Sequence, residues 1–186
     1  MDSMATPERT GVVLHHPERP IPSRRQLLVS AAPAMAALVL TGLITTWWAG
    51  RSESGPQWFS LAWIPIMGIA WLVLTTTRAP RPLLAHTGQG TDIAAARHTA
   101  LRAHRLPSSS SMHIGAAVRS CAQLENMALL ATAGATAVAG AVLRPGLPWL
   151  PVLTTLGVLT ATALLPAGRS WAYLRLHEHH AHRPVS

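Results

Sequence analysis

Four stretches of this chain, Leu27 to Gly50, Trp58 to Thr77, Ser120 to Leu143 and Leu147 to Ala167, contain one charged residue between them, Glu125. Wound as an α-helix, the first of them rises about 36 Å, against about 30 Å for the hydrocarbon core of a bilayer. A segment in lipid must satisfy its own backbone hydrogen bonds, and a helix is the way a single run does so. The runs come in two pairs, each joined by a short polar turn, Arg51 to Pro56 and Arg144 to Gly146. The sequence therefore predicts an all-α fold: an integral membrane four-helix transmembrane bundle made of two helical hairpins.

Composition agrees. The chain is 49% hydrophobic and 12% charged, where a soluble domain carries about 25% charged residues. The net charge of +8 raises nucleic acid as a partner, but the arginines gather at the ends of apolar runs, which fits membrane topology and no nucleic acid. All fifteen basic residues are arginine, which with abundant Ala points to GC-rich coding of the actinobacterial kind. The single cysteine, Cys121, excludes an internal disulfide and gives no metal-ligand spacing.

The expected organisation has five parts. Residues 1–26 form a disordered tail punctuated by Pro7, Pro17, Pro20 and Pro22. Residues 27–77 are the first transmembrane hairpin, 78–119 a basic loop with a short helix, 120–168 the second transmembrane hairpin and 169–186 a His-rich tail. Ser23-Arg24-Arg25-Gln26-Leu27-Leu28 resembles a twin-arginine export signal; two topology-setting arginines before a retained anchor are the plainer explanation. Pro33 and Pro65 lie inside the first two runs, where neighbouring helices can satisfy the freed carbonyls.

Thirteen of the fifteen arginines fall on the tails and central loop, and only Arg51 and Arg144 on the hairpin turns. The positive-inside rule then places both termini in the cytoplasm, in the cytoplasmic (inner) membrane of the cell. Arg25, Arg51, Trp58 and Arg78 are spaced much as Arg119, Arg144, Trp149 and Arg169. That spacing admits a parallel duplication, although any two hairpins crossing one bilayer share it.

Few residues bear chemistry. Glu125, with Gln123 and Asn126, is an intramembrane polar group near one end of the third run, and ionisable groups there are functional hypotheses by default. It can pair with Arg169, act as a proton- or cation-coupling carboxylate, or serve as an acid with a loop histidine such as His113. The third run is rich in Ala and Gly, which allows close approach and puts it at the centre of the bundle. In the loop, Thr91-Asp92 can cap a helix reaching Arg105, with His98, Arg102 and Arg105 on one face. Arg97, Arg102 and Arg105 are the basic residues expected to meet anionic headgroups at the inner face or a protein partner. His15 with His16, and His177, His179, His180 and His182, are weak metal candidates; position 181 is Ala, so the H-E-x-x-H pattern is broken. No cofactor is implied.

The expectation from these residues is a non-enzymatic multi-pass membrane protein, an accessory or scaffold subunit working through its cytoplasmic loop and tails with a protein partner or as a homo-oligomer. The first alternative is a small oligomeric transporter or pore using Glu125. Its plan is similar to that of the small multidrug exporters, whose membrane acid lies in the first span and not the third. The second alternative is a membrane-embedded enzyme.

Overall fold

A computed structural model describes residues 14–51, 55–84 and 90–181. The expectations for the first thirteen residues, for the polar turn at 52–54 and for His182 lie outside these. Five helices follow one another: α1 (Arg24–Ala49), α2 (Gly55–Thr77), α3 (Gly90–Ala103), α4 (Ser110–Leu143) and α5 (Trp149–Ala181). Four of them, α1, α2, α4 and α5, are long and apolar enough to cross a membrane. The protein is an all-α four-helix membrane bundle with one extra helix.

Helix α4 packs against α1, α3 and α5. The Ala- and Gly-rich run lies at the centre of the bundle, where its small side chains let α1 and α5 approach, while α3 packs on the other end of the helix. The closest approach is at Gly140. A Cβ there would overlap the Trp149 ring and stand 3.3 Å from Oγ1 of Thr46. The Trp149 ring, in turn, meets Phe59 edge-on at 4.7 Å and Trp63 at 6.3 Å, joining α5 to α2. Gly42 on α1 repeats the device against Thr136. The outer surfaces carry large apolar residues, Ile64 71% and Leu150 75% exposed. Lipid is the solvent that suits so continuous an apolar exterior.

Both hairpin turns lie at the same end, since a Cβ on Gly50 would stand 3.2 Å from Nε of Arg144. Arg51 lies over the Trp47 ring at 4.0 Å from its centroid. The opposite, arginine-rich end differs from the expected loop and tail. Helix α4 has 34 residues and α5 has 33, about 50 Å each, so about 20 Å of each helix extends beyond a hydrocarbon core. The first hairpin's helices are shorter, at 26 and 23 residues. Trp58 meets Trp48 with the rings tilted at 47° while Trp149 is buried in the core, so the matched spacings do not carry matched packing.

Against the projecting parts of α4 and α5 a second core forms. Leu27, Ile93, Ala100, Ala116, Ala117, Cys121, Tyr173 and Leu174 are buried together, with Ile21, Leu84 and Leu106 packed around them. The tail segment before α1 joins it: Leu14–His15 pairs antiparallel with Leu83–Leu84, and Pro22 is buried. Prolines that forbid a helix suit this extended course. Ser23 then caps α1 in a capping box, its Oγ accepting from the Gln26 N–H at 3.3 Å and its own N–H donating to Gln26 Oε1 at 2.9 Å. Ser109 precedes α4, but its hydroxyl meets Ser111 Oγ and makes no cap bond. Pro33 and Pro65 are exposed on the bundle's outside, where a helix can bend without disturbing the core.

Gly140→Ala should lower stability by about 1–3 kcal/mol, the usual cost of overpacking a filled core. Gly134→Ala should be neutral or better, because nothing lies within 4 Å of its Cβ position. Thermal unfolding in detergent, followed by loss of the monodisperse chromatographic peak, measures both. A Gly140→Ala protein as heat-resistant as the parent would contradict this account of the packing.

Candidate functional site

Three polar layers stack along the arginine-rich end. The innermost is centred on Glu125, which is 1% exposed. Helix α2 stops at Thr77 and the chain runs extended through Pro80 and Pro82, since neither proline has an N–H to donate. That course brings Arg81 over α4. Its Nη1 and Nη2 donate to Oε1 and Oε2 of Glu125, each at 3.0 Å, with both side chains buried. Arg78 Nε lies 3.1 Å from Oε2 but is not aimed along a hydrogen bond, so it adds charge without a directed contact. The paired fork geometry is the strong form of an arginine–carboxylate contact.

The expected partner of Glu125, Arg169, is elsewhere. Two residues along a helix turn the side chain to nearly the opposite face, so Glu125 looks toward the segment after α2 while Gln123 looks toward α5. Arg169 is exposed.

The second layer is centred on Arg97. The sequence groups it with Arg102 and Arg105 as a surface residue, but it is only 8% exposed. Its Nη1 donates to Gln123 Oε1 and, at 3.0 Å, to Ser170 Oγ; Ser170 also donates to Gln123 Oε1. The buried face of α3 is Ile93, Arg97 and Ala100, a spacing of i, i+4, i+7. The arginine on that apolar side is tolerated because α4 and α5 supply its acceptors. Burial, with Arg119 and Arg169 nearby, pushes its guanidinium below the ordinary arginine value. Arg102 and Arg105 are exposed and His98 half-buried, while Asn126 turns outward.

The third layer closes the end. His113 Nε2 and His177 Nδ1 are 2.7 Å apart, the rings edge to face. Tyr173 donates its hydroxyl to the His113 carbonyl at 3.3 Å. Arg24 donates to Glu178 through its backbone N–H and its Nε, both at 2.9 Å, and lies over the Trp171 ring at 4.5 Å. Of the other metal candidates, His179 and His180 are exposed and each bonds the carbonyl one turn back through Nδ1. His16 meets Glu18 at 3.2 Å. No group of three His, Cys, Asp or Glu side chains suited to a metal ion occurs among the described residues.

The layers tie every element at this end to another: the segment after α2 to α4, α3 to α4 and α5, and α1 to α5. Sequence reasoning singled out Glu125, Gln123 and Arg97 but missed Arg81, Ser170 and Glu178. The S-x-x-Q box at Ser23 was the one local signal that the chain before α1 is ordered. No family model matches the chain, and no curated protein or solved structure matches it either.

Glu125→Gln would leave two buried or half-buried guanidiniums without a countercharge, at a cost of about 3–5 kcal/mol. Adding Arg81→Gln to that variant should recover part of the loss. Heat-induced dispersal in detergent reads both, and a Glu125→Gln protein that matches the parent would show the cluster to be without structural weight.

Proposed function

We propose that the chain is a non-enzymatic subunit of the cytoplasmic membrane that docks a protein partner on a folded, arginine-rich cytoplasmic cap. The observation that carries this reading is the state of Glu125. Both of its oxygens are held by Arg81, and Arg78 adds a second positive charge. A carboxylate so engaged secures the cap to the bundle. A coupling carboxylate in a small transporter would have to release both arginines in every cycle. A membrane enzyme would need a second group at the depth of Glu125, and His113, the residue expected to fill that role, is engaged with His177.

The orientation follows from charge. Among the described residues, Arg51 and Arg144 are the only arginines at the hairpin-turn end, and by the positive-inside rule this supports a cytoplasmic cap. Within the cap, Arg102 on α3 and Arg105 just after it stand exposed, while the helix is fixed to the bundle by Arg97. A rigid platform presenting arginines loses little freedom on binding, which favours recognition of an acidic partner surface.

The test is purification of the full chain from its host's membranes in mild detergent, with the intact complex weighed. A stoichiometric second polypeptide is expected, and a homo-oligomer without one would refute the reading. Arg102→Gln with Arg105→Gln should weaken the association about 2- to 30-fold, the range for two exposed ion pairs. Raising salt should weaken the parent complex in the same direction; an association indifferent to salt would contradict the electrostatic contact.

A further inference from the structure

A groove of about 750 Å³ opens between α3 and α5 at the arginine-rich end, lined by His104, Arg169, Trp171, Arg175, His179 and His180 with Leu101 and Leu176. No carboxylate is among its lining residues. A second space, a largely apolar crevice of about 190 Å³ between α1 and α4, is lined by Leu27, Leu28, Ala31, Ala128 and Ala131, with Arg24 and the Arg81-bound Glu125 also on its wall. Trp171 borders both. We propose that the two together bind one anionic phospholipid, with its phosphate in the basic groove and an acyl chain in the crevice.

The chemistry of each wall fits its part. Arg169 and Arg175 are exposed and are donors of the kind that grip phosphate oxygens. His179 and His180 each donate Nδ1–H to a backbone carbonyl, at 3.0 and 2.9 Å, which fixes both rings on the wall of the groove. His104 has φ 50, the left-handed conformation at the residue just after α3, where glycine is usual. The N–H of Arg105 bonds the Ala100 carbonyl at 3.2 Å across it. A histidine at this position costs backbone strain and gains an imidazole in the groove.

The crevice runs from Arg24 to Ala31 along α1, about 10 Å in the direction of the bundle centre. It exists because Ala31, Ala128 and Ala131 are small where two helices pass. Its mouth is at Trp171, 44% exposed and of the residue type that prefers the headgroup level. Arg24 stacks on this ring and is paired with Glu178, so the charge at the mouth is balanced and the uncompensated positive charge stands in the groove. A soluble phosphate would use the groove alone; the adjoining apolar crevice is what favours a lipid.

The proposal rests on the membrane placement of the helices and is independent of any protein partner. The experiment titrates the delipidated full chain in detergent with phosphatidylglycerol or phosphatidylcholine and counts bound lipid by native mass spectrometry. The parent should prefer phosphatidylglycerol by about 30-fold, from roughly 1 kcal/mol per arginine near the headgroup. Arg169→Gln with Arg175→Gln should abolish that preference, and Arg19→Gln with Arg25→Gln, which removes equal charge outside the groove, should keep it. Ala131→Leu, at an exposed position, should weaken both lipids by filling the crevice. Equal binding of the two lipids by the parent, which needs no variant to read, would overturn the proposal. So would retention of the preference after loss of Arg169 and Arg175, or full competition by glycerol phosphate, which would identify the ligand as a soluble anion. A partner found with no lipid preference would defeat this site and leave the docking reading intact; lipid preference with no partner would do the reverse.

Discussion

The bidentate contact of Arg81 with Glu125 is the constraint on which the arginine-rich end depends. It joins residues 44 apart in sequence and is placed below Arg97, where the membrane part of α4 begins. Burying an ion pair is not by itself stabilising, because desolvation offsets much of the attraction. What it supplies is specificity. The segment after α2 could lie across the bundle in several ways, and only one sets both guanidinium nitrogens on both carboxylate oxygens. Once that segment is fixed, Leu83 and Leu84 are presented to Leu14 and His15, and the chain ahead of α1 has somewhere to lie.

The two ends of the bundle are therefore held by different physics. At the hairpin turns the contacts are dry: Gly140 under Trp149, Gly42 under Thr136, and an aromatic cluster of Phe59, Trp63 and Trp149. In lipid there is no hydrophobic gain from bringing helices together, so close packing of small residues must serve. At the other end α4 and α5 leave the hydrocarbon, water returns as the competing solvent, and apolar burial recovers its force. The second core around Tyr173, Leu174 and Cys121 is that of a small soluble domain. The polar layers lie where the regimes meet, at the depth where neither lipid packing nor water-driven burial is fully available.

What the sequence made legible follows the same division. The four runs, the shared side of the hairpin turns and the central place of α4 were readable because each rests on local composition: absence of charge, polar turns, and Ala or Gly at close spacing. The cap was not, because its order is non-local. Arg97 looks like a fault in the apolar side of α3 until Gln123 and Ser170 are seen to face it. Arg81 reads as one more topology-setting arginine until Pro80 and Pro82 are seen to carry it over Glu125. The extensions of α4 and α5 hid behind their charges, since Arg119, Arg169 and Arg175 mark the edge of a membrane run equally well whether the helix stops or continues.

The arrangement also explains why so many arginines can crowd one end with so few acids. Arginine keeps its charge at any accessible pH and forms several directed bonds from one plane, so a buried one can be satisfied by neutral acceptors. Arg97 is satisfied in this way by Gln123 and Ser170, Arg81 by a carboxylate, and Arg24 by Glu178 and the face of Trp171. Those residues hold the cap together. With Glu125 and Glu178 committed to them, the exposed arginines of α3 and α5 keep a positive field directed away from the core, of the sign that attracts acidic protein and anionic headgroup alike. The division between inward arginines that build the cap and outward arginines that face its surroundings is what would let a topology signal serve as the binding surface proposed above.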